Sequence, residues 1–285
     1  MKAEVTTFFD SGKSCTACYV IADPKHKVCA IIDSYVGLDL FHGRITYEGA
    51  DAVIKFIKSK GYKCNYVCET HAHADHITAA PYLKKALGCK SGIGENITAV
   101  QKTFNKVLGL SVAEDGSQFD KLWADGEKFD IGDLTVTCLS TPGHTPACTT
   151  YYIEDDCVFT GDTIFMPDMG TARCDFPKGS IETIWDSIQK VLSLPDNVRV
   201  FVGHDYKPGR DEYAWESTIA EEKKSNKHVK TGTKKDEFVK MRSDRDKTLD
   251  TPRWIIPAVQ ANIQAGELLK DKNGNPYLKI NVGVF

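Results

Sequence analysis

Thr70-His71-Ala72-His73-Ala74-Asp75-His76 places three imidazoles and one carboxylate within six consecutive positions, 71 to 76. Neutral imidazole and carboxylate are ligands for first-row transition metals. Such groups are costly to crowd together unless something binds them. The stretch follows the apolar run Tyr66-Val67-Cys68, which reads as a strand. Alternation in extended backbone then puts His71 and His73 on one side of the chain. Asp75 and His76 fall at the turn into a helix, because Ile77 to Leu87 carries apolar residues at helical spacing. The spacing aims two pairs of ligands at two neighbouring positions.

Three further segments repeat this design. Ser140-Thr141-Pro142-Gly143-His144-Thr145 sets His144 in a Pro-Gly turn after the apolar strand Leu134 to Leu139. Phe159-Thr160-Gly161-Asp162-Thr163 sets Asp162 just past the strand Cys157-Val158-Phe159. Val200-Phe201-Val202-Gly203-His204-Asp205-Tyr206 sets His204 past another apolar run. Each polar group lies at the C-terminal end of a predicted strand beside a glycine, where sheet-based folds collect their sites. One such histidine alone is more often a hydrogen-bonded structural residue. Four segments with one local design are a metal-site signature.

The set resembles the metallo-β-lactamase superfamily, with its His-x-His-x-Asp-His followed by a lone His, an Asp and a His. The resemblance runs from about Val20 to Tyr206. It implies an α/β fold, the αββα metallo-β-lactamase sandwich, with two mixed sheets face to face and helices outside. It also implies one metallo-β-lactamase-like domain over 1–230 and a C-terminal extension over 231–285 packed on the same fold. A single double-layered domain is expected on other grounds as well, since ligands from both halves need one shared cleft.

The segment after Asp162, through Gly170-Thr171-Ala172-Arg173-Cys174-Asp175-Phe176, is similar to the persulfide dioxygenases, which carry Gly-x-x-Arg-x-Asp-Phe here. His204-Asp205-Tyr206 is also similar to theirs. The Met166-Pro167-Asp168-Met169-Gly170 form looks most like the bacterial BigR-linked hydrolase subgroup. This resemblance implies one Fe(II) per chain held by His71, His144 and Asp162, with His73, Asp75, His76 and His204 orienting the site around it. It implies oxidation of the sulfane sulfur of glutathione persulfide, or a related thiol persulfide, by O2 to sulfite and thiol. Arg173 and Tyr206 match family positions that bind glutathione. Arg173 has a second reading, an ion pair with Asp175 or Asp168. At Asn226-Lys227-His228 the chain departs from the glutathione-using relatives, which place arginine where His228 stands. His228 is the third expected substrate contact, weaker than arginine for a carboxylate.

Two other function classes stand beside this one. In glyoxalase II, a thioester hydrolase, equivalent groups hold a second metal and the residue matching Asp162 bridges. A non-catalytic metal or sulfide sensor would use the same ligands without turnover. Composition favours a compact enzyme: the net charge of -3 carries no nucleic-acid signature, and 41% hydrophobic content suits a large core. No apolar stretch is long enough to span a bilayer, and Met1-Lys2-Ala3-Glu4 opens directly into the fold. A cytoplasmic protein is expected, with a small thiol persulfide and O2 as partners and a homodimer as one admissible assembly.

The 10 cysteines are scattered, several within apolar strands, and read as reduced thiols. Cys15 and Cys18 lead into the strand Tyr19-Val20-Ile21, where positions three apart face opposite ways. Further helices are expected over Ala50–Lys60, Ile97–Leu108, Ser180–Leu192 (with Ser180 as N-cap) and Trp215–Lys224. Glu221 to Lys247 is highly charged and reads as a solvated helix and loop. Tyr277 to Ile280 reads as a last strand after the turn at Asn273-Gly274-Asn275-Pro276.

Overall fold

The computed structural model describes residues 2–12 and 14–283. Strands β1 (Glu4–Phe9), β2 (Ala17–Asp23) and β3 (Val28–Ile32) form an antiparallel meander. A short hairpin, β4 (Gly37–Asp39) and β5 (Arg44–Thr46), and helix α1 (Glu48–Lys60) lead to β6 (Lys63–Cys68), parallel to β3. Then α2 (Ala80–Leu87), β7 (Lys90–Gly94), α3 (Ile97–Leu108) and β8 (Lys121–Trp123) extend the sheet in parallel, giving the order β1-β2-β3-β6-β7-β8.

The second sheet opens with an antiparallel meander of β9 (Lys128–Ile131), β10 (Leu134–Ser140), β11 (Thr149–Ile153) and β12 (Cys157–Gly161). Helix α4 (Ile181–Leu192) crosses to β13 (Arg199–Val202), parallel to β12, and β14 (Glu216–Thr218) closes the edge. The order is β14-β13-β12-β11-β10-β9. Helices α5 (Ile219–Ser225), α6 (Lys235–Asp246) and α7 (Ile255–Asn262) follow, then a small hairpin of β15 (Leu269–Lys270) and β16 (Pro276–Tyr277). Among the described residues no helix is long and apolar enough to cross a membrane.

Alternation sorts β2 between two cores. Tyr19 and Ile21 point between the sheets, against Val136, Tyr151, Phe159 and Phe201. Cys18, Val20 and Ala22 point outward, under Val53 and Ile57 of α1 and Leu83 of α2. Both faces of the sheet are covered, so all seven residues of β2 are buried. Phe159 and Phe201 stack at 5.0 Å, and Tyr19 meets both edge-on at 5.2 and 5.4 Å. Its hydroxyl donates to the Val202 carbonyl at 2.6 Å, which satisfies the buried polar end. On the far side, Ile184 and Ile188 of α4 and Phe238 of α6 cover the second sheet. The layers are therefore α, β, β, α.

Four local expectations differ from what forms. The helix expected from Ile77 starts at Ala80, because the Ile77 carbonyl accepts the Val36 amide and the Thr78 amide donates to Asn262 Oδ1, which keeps both residues out of the helix. The helix expected from Trp215 starts at Ile219: Glu216–Thr218 pairs with β13, and the Thr218 hydroxyl caps the Glu221 amide. The last strand pairs only at Pro276–Tyr277. The charged stretch Glu221 to Lys247 is not all solvated, since Glu222, Arg242 and Asp246 are buried. Arg242 Nε donates to Asp246 Oδ1 at 2.8 Å and Nη1 to the Thr171 carbonyl at 3.1 Å. Asp246 Oδ2 in turn accepts the Cys174 amide at 2.9 Å, so α6 is tied to the 171–174 loop.

Helix α7 makes a second tie. Buried Asn262 donates from Nδ2 to the carbonyls of His73 (2.9 Å) and His76 (2.7 Å) and accepts the Thr78 amide at 3.0 Å. Asn262→Ala would orphan those three backbone groups. Each orphan costs roughly 1–3 kcal/mol, and partial rehydration recovers some of it, so unfolding free energy should fall by about 2–4 kcal/mol. Urea denaturation measures this; an unchanged midpoint would mean the three bonds are dispensable.

Candidate metal centre

The residues singled out above meet at the C-terminal ends of β3, β6, β10, β12 and β13. Asp33, directly after β3, is the hub. Its carboxylate accepts the Thr70 amide at 2.7 Å and the Thr70 hydroxyl at 2.8 Å. Thr70 Oγ1, having donated to Asp33, accepts from His71 Nδ1 at 3.0 Å. His71 therefore carries its proton on Nδ1 and keeps a lone pair on Nε2. Burial, and then the neighbouring imidazoles, push His71 well below the usual histidine range, so the ring is neutral.

His144 is set by the same logic. Its Nδ1 donates to the Arg173 carbonyl at 2.7 Å, leaving Nε2 free. Asp162 Oδ2 lies 3.6 Å from His144 Nε2 and 3.9 Å from His71 Nε2. Two glycines make this approach possible. Gly161 has φ +49°, and a Cβ there would strike Thr70. A Cβ on Gly203 would come within 2.6 Å of Asp162 Oδ1. Gly161 therefore both turns the chain and leaves room for the His71 support.

A second group adjoins the first. His73, Asp75, His76 and His204 offer ligand atoms within 4.8 Å of one another, as do His71, His144 and Asp162. Asp162 faces both, since its Oδ1 lies 3.4 Å from His204 Nε2. His76 Nδ1 lies 3.1 Å from Asp75 Oδ2, and Thr16 Oγ1 contacts the Nδ1 atoms of His76 and His204 at 3.2 and 3.4 Å. His73 Nε2 sits 3.1 Å from Asp33 and 3.3 Å from Glu69. Burial opposes charge on His73, but Asp33 and then Glu69 outweigh it and lift the ring well above the usual range.

Donor chemistry fits a transition-metal cation. His71 Nε2, His73 Nδ1, His76 Nε2 and Asp162 Oδ1 are buried without a hydrogen-bond partner. Buried polar atoms rarely stay orphaned, and these lie on the inner faces of two donor groups. The first group offers two imidazoles and one carboxylate, a donor set that would suit a first-row cation. The second supplies three imidazoles and a carboxylate.

A cavity of about 310 Å³ opens from Asp75, His144, Asp162 and His204 toward Arg173, Tyr206 and His228. All three residues expected to meet substrate therefore line it. Of the two readings of Arg173, the ion pair present is with Asp175, bidentate at 2.6 and 2.6 Å. Asp168 pairs instead with Arg210. Tyr206 is half exposed, its ring parallel to His204 at 5.9 Å. His228 Nδ1 accepts the Thr171 amide at 3.0 Å. Burial, and then Arg242, Lys227 and Arg245, push His228 down to about 4, so it is neutral at neutral pH. Sequence reading passes over Thr16, Asp33, Glu69 and Asn262, and misses that Arg242 and Arg245 line the cavity.

An αββα sandwich with seven such donors at its strand ends is a metal-binding fold of one known class. The metallo-beta-lactamase superfamily model matches residues 16–204, which include every donor, and the chain belongs to that superfamily. It is 49% identical over 283 residues to "glyoxylase B2" of Dictyostelium discoideum, covering 98% of this chain and 97% of that protein. It is 31% identical over 257 residues to the mitochondrial persulfide dioxygenase ETHE1 of Bos taurus, covering 89% of this chain and 85% of that one. The crystal structure of ETHE1 from Myxococcus xanthus superposes with a TM-score of 0.74 at 29% identity, covering 93% of this chain and 100% of that one.

Two outcomes follow from the geometry. His71→Ala, His144→Ala and Asp162→Ala should each remove the metal of the first group from the purified protein, because three donors leave that group no redundancy. Full metal retention in His144→Ala by elemental analysis would remove it from the ligand set. His228 gives a pH test. Its folded pKa, about 4, lies below the unfolded value near 6.5, so the unfolded chain binds the extra proton. Its stability contribution is therefore lost as pH falls from about 6.5 to 4. His228→Gln should recover about 2 kcal/mol relative to the parent over that window, after discount for partial exposure. Denaturation curves at pH 7 and pH 4.5 with equal differences would refute the burial argument.

Proposed function

We propose that the protein is a non-haem Fe(II) persulfide dioxygenase. The reaction joins O2 and water to a thiol persulfide, RSSH, and releases RSH, sulfite and two protons. The observation that carries the reading is the group of His71, His144 and Asp162, with lone-pair atoms free and with His144 and Asp162 lining a cavity. Two imidazoles and one carboxylate suit Fe(II) that must keep open positions. The likeness to ETHE1 proteins adds support. Bound Fe(II) would supply the one-electron chemistry that lets O2 react with a sulfane sulfur.

The chain's own residues do the rest. The Asp33–Thr70 pair and the Arg173 carbonyl keep the protons of His71 and His144 on the sides away from the cavity. Asp33 and Glu69 hold His73, and Asp75 holds His76 and faces His204. These contacts orient donors and set local charge, the part outer hydrogen bonds play at metal sites. Phe165 and Phe176 line the cavity with Met169 and limit water near the reacting sulfur.

A second reading has its own support. The group of His73, Asp75, His76 and His204 could hold a second cation bridged by Asp162, as a glyoxalase II-like thioester hydrolase requires. The name of the Dictyostelium relative points the same way. Oxygen uptake with glutathione persulfide, alongside metal analysis, separates the two. The dioxygenase should consume oxygen with about one iron per chain. Thioester hydrolysis without oxygen uptake, with two metals per chain, would replace it. His204→Ala should keep the iron and lose about 10- to 100-fold in metal affinity or turnover.

A further inference from the structure

We propose that Arg245, on the C-terminal helix α6, is the anion-binding residue of the cleft and grips a carboxylate or phosphate carried by the thiol. This rests on the persulfide reading and deepens it. The cavity is lined by two carboxylates of the donor groups, Asp75 and Asp162, and by three arginines, Arg173, Arg242 and Arg245.

Two of the three arginines are neutralised. Arg173 makes a bidentate pair with Asp175 and a further bond to the Asp250 carbonyl at 2.8 Å. Arg242, fully buried, is paired with Asp246. Arg245 is exposed and makes no side-chain hydrogen bond or ion pair among the described residues. It lies three residues after Arg242, hence on the same face of α6, turned toward the cleft. Its guanidinium meets no counter-ion within contact distance among the described residues. Lys227, also without an ion pair among the described residues, is depressed by burial and then by Arg245. His228, between these cations, is neutral and offers no counter-charge.

An anion beside Arg245 supplies that charge, and guanidinium binds carboxylate or phosphate through two parallel bonds. A negative tail held by Arg245, which lines the same cavity as His144 and Asp162, leaves the sulfur end free to reach the metal donors.

Arg245→Ala and Arg245→Glu test this in the full chain as purified. Being exposed, the residue can change without unfolding the protein. Calorimetric titration with S-methylglutathione and S-methyl-coenzyme A reads binding without turnover. Oxygen uptake with the persulfides of glutathione, coenzyme A and uncharged 2-mercaptoethanol reads kcat and KM. Arg245→Ala should raise KM about three- to tenfold for a charged carrier, with kcat held and the uncharged carrier unmoved. Arg245→Glu should raise it further. The charged carrier with the larger rise names the source, carboxylate or phosphate. Equal changes for all three carriers, or none, would overturn the assignment, as would failure of the parent protein to bind either S-methyl probe. If the parent takes up no oxygen with any persulfide, the persulfide reading falls, and loss of probe binding in Arg245→Ala still decides the anion site.

Discussion

One buried carboxylate organises this molecule. Asp33 stands at the end of β3 with left-handed backbone, φ +52°, and is 1% exposed. A lone ion there would be strongly unfavourable. It accepts from the Thr70 amide, the Thr70 hydroxyl and His73 Nε2, so three donors from one loop replace water. The loop takes its shape from that satisfaction. Thr70 then fixes the His71 proton, and the His71 lone pair points where Asp162 and His144 converge. Asp33 belongs to neither of the two donor groups that meet at Asp162, yet their geometry depends on it.

The second determinant is the C-terminal segment. Helix α7 holds the histidine loop through Asn262, while α6 holds the 171–174 loop through Arg242 and Asp246. Both loops line one cavity, through Ala74 and Asp75 and through Thr171 to Arg173. Residues after 230 therefore brace both the histidine loop and the loop beside Arg173. A site of seven donors drawn from distant segments needs such bracing, since an error of about 1 Å in a donor set is enough to weaken it.

Much of the donor set is legible in the sequence, for a local reason. A His or Asp beside a glycine at the end of an apolar run is readable within about six residues, and three of the four segments have that form; the first announces itself by the density of its imidazoles. The supports are not legible, because their signal is non-local. Asn262 acts 189 positions from His73 and touches only its carbonyl, which leaves no trace in side-chain type. Arg242 and Asp246 lie in a stretch so charged that solvation is the natural reading, and their mutual pairing is what buries them. Asp33 is visible in kind, a carboxylate ending Cys29-Ala30-Ile31-Ile32, but lacks the neighbouring glycine. Glu216–Thr218 reads as helix until β13 offers it an edge.

Charge balance, finally, separates the two chemical readings. Asp75 and Asp162 lie on either side of His204 Nε2, at 3.5 and 3.4 Å. Burial disfavours charge on His204, but Asp162 and then Asp75 raise its affinity for a proton. These carboxylates need a cation between them, and two candidates can serve. A proton on His204 would leave that nitrogen without a lone pair, whereas a metal in the second group would take the proton's place and would be held by His73, Asp75, His76 and His204. The two readings of the site thus turn on whether the second donor group is filled, and the scaffold that aims the donors is common to both.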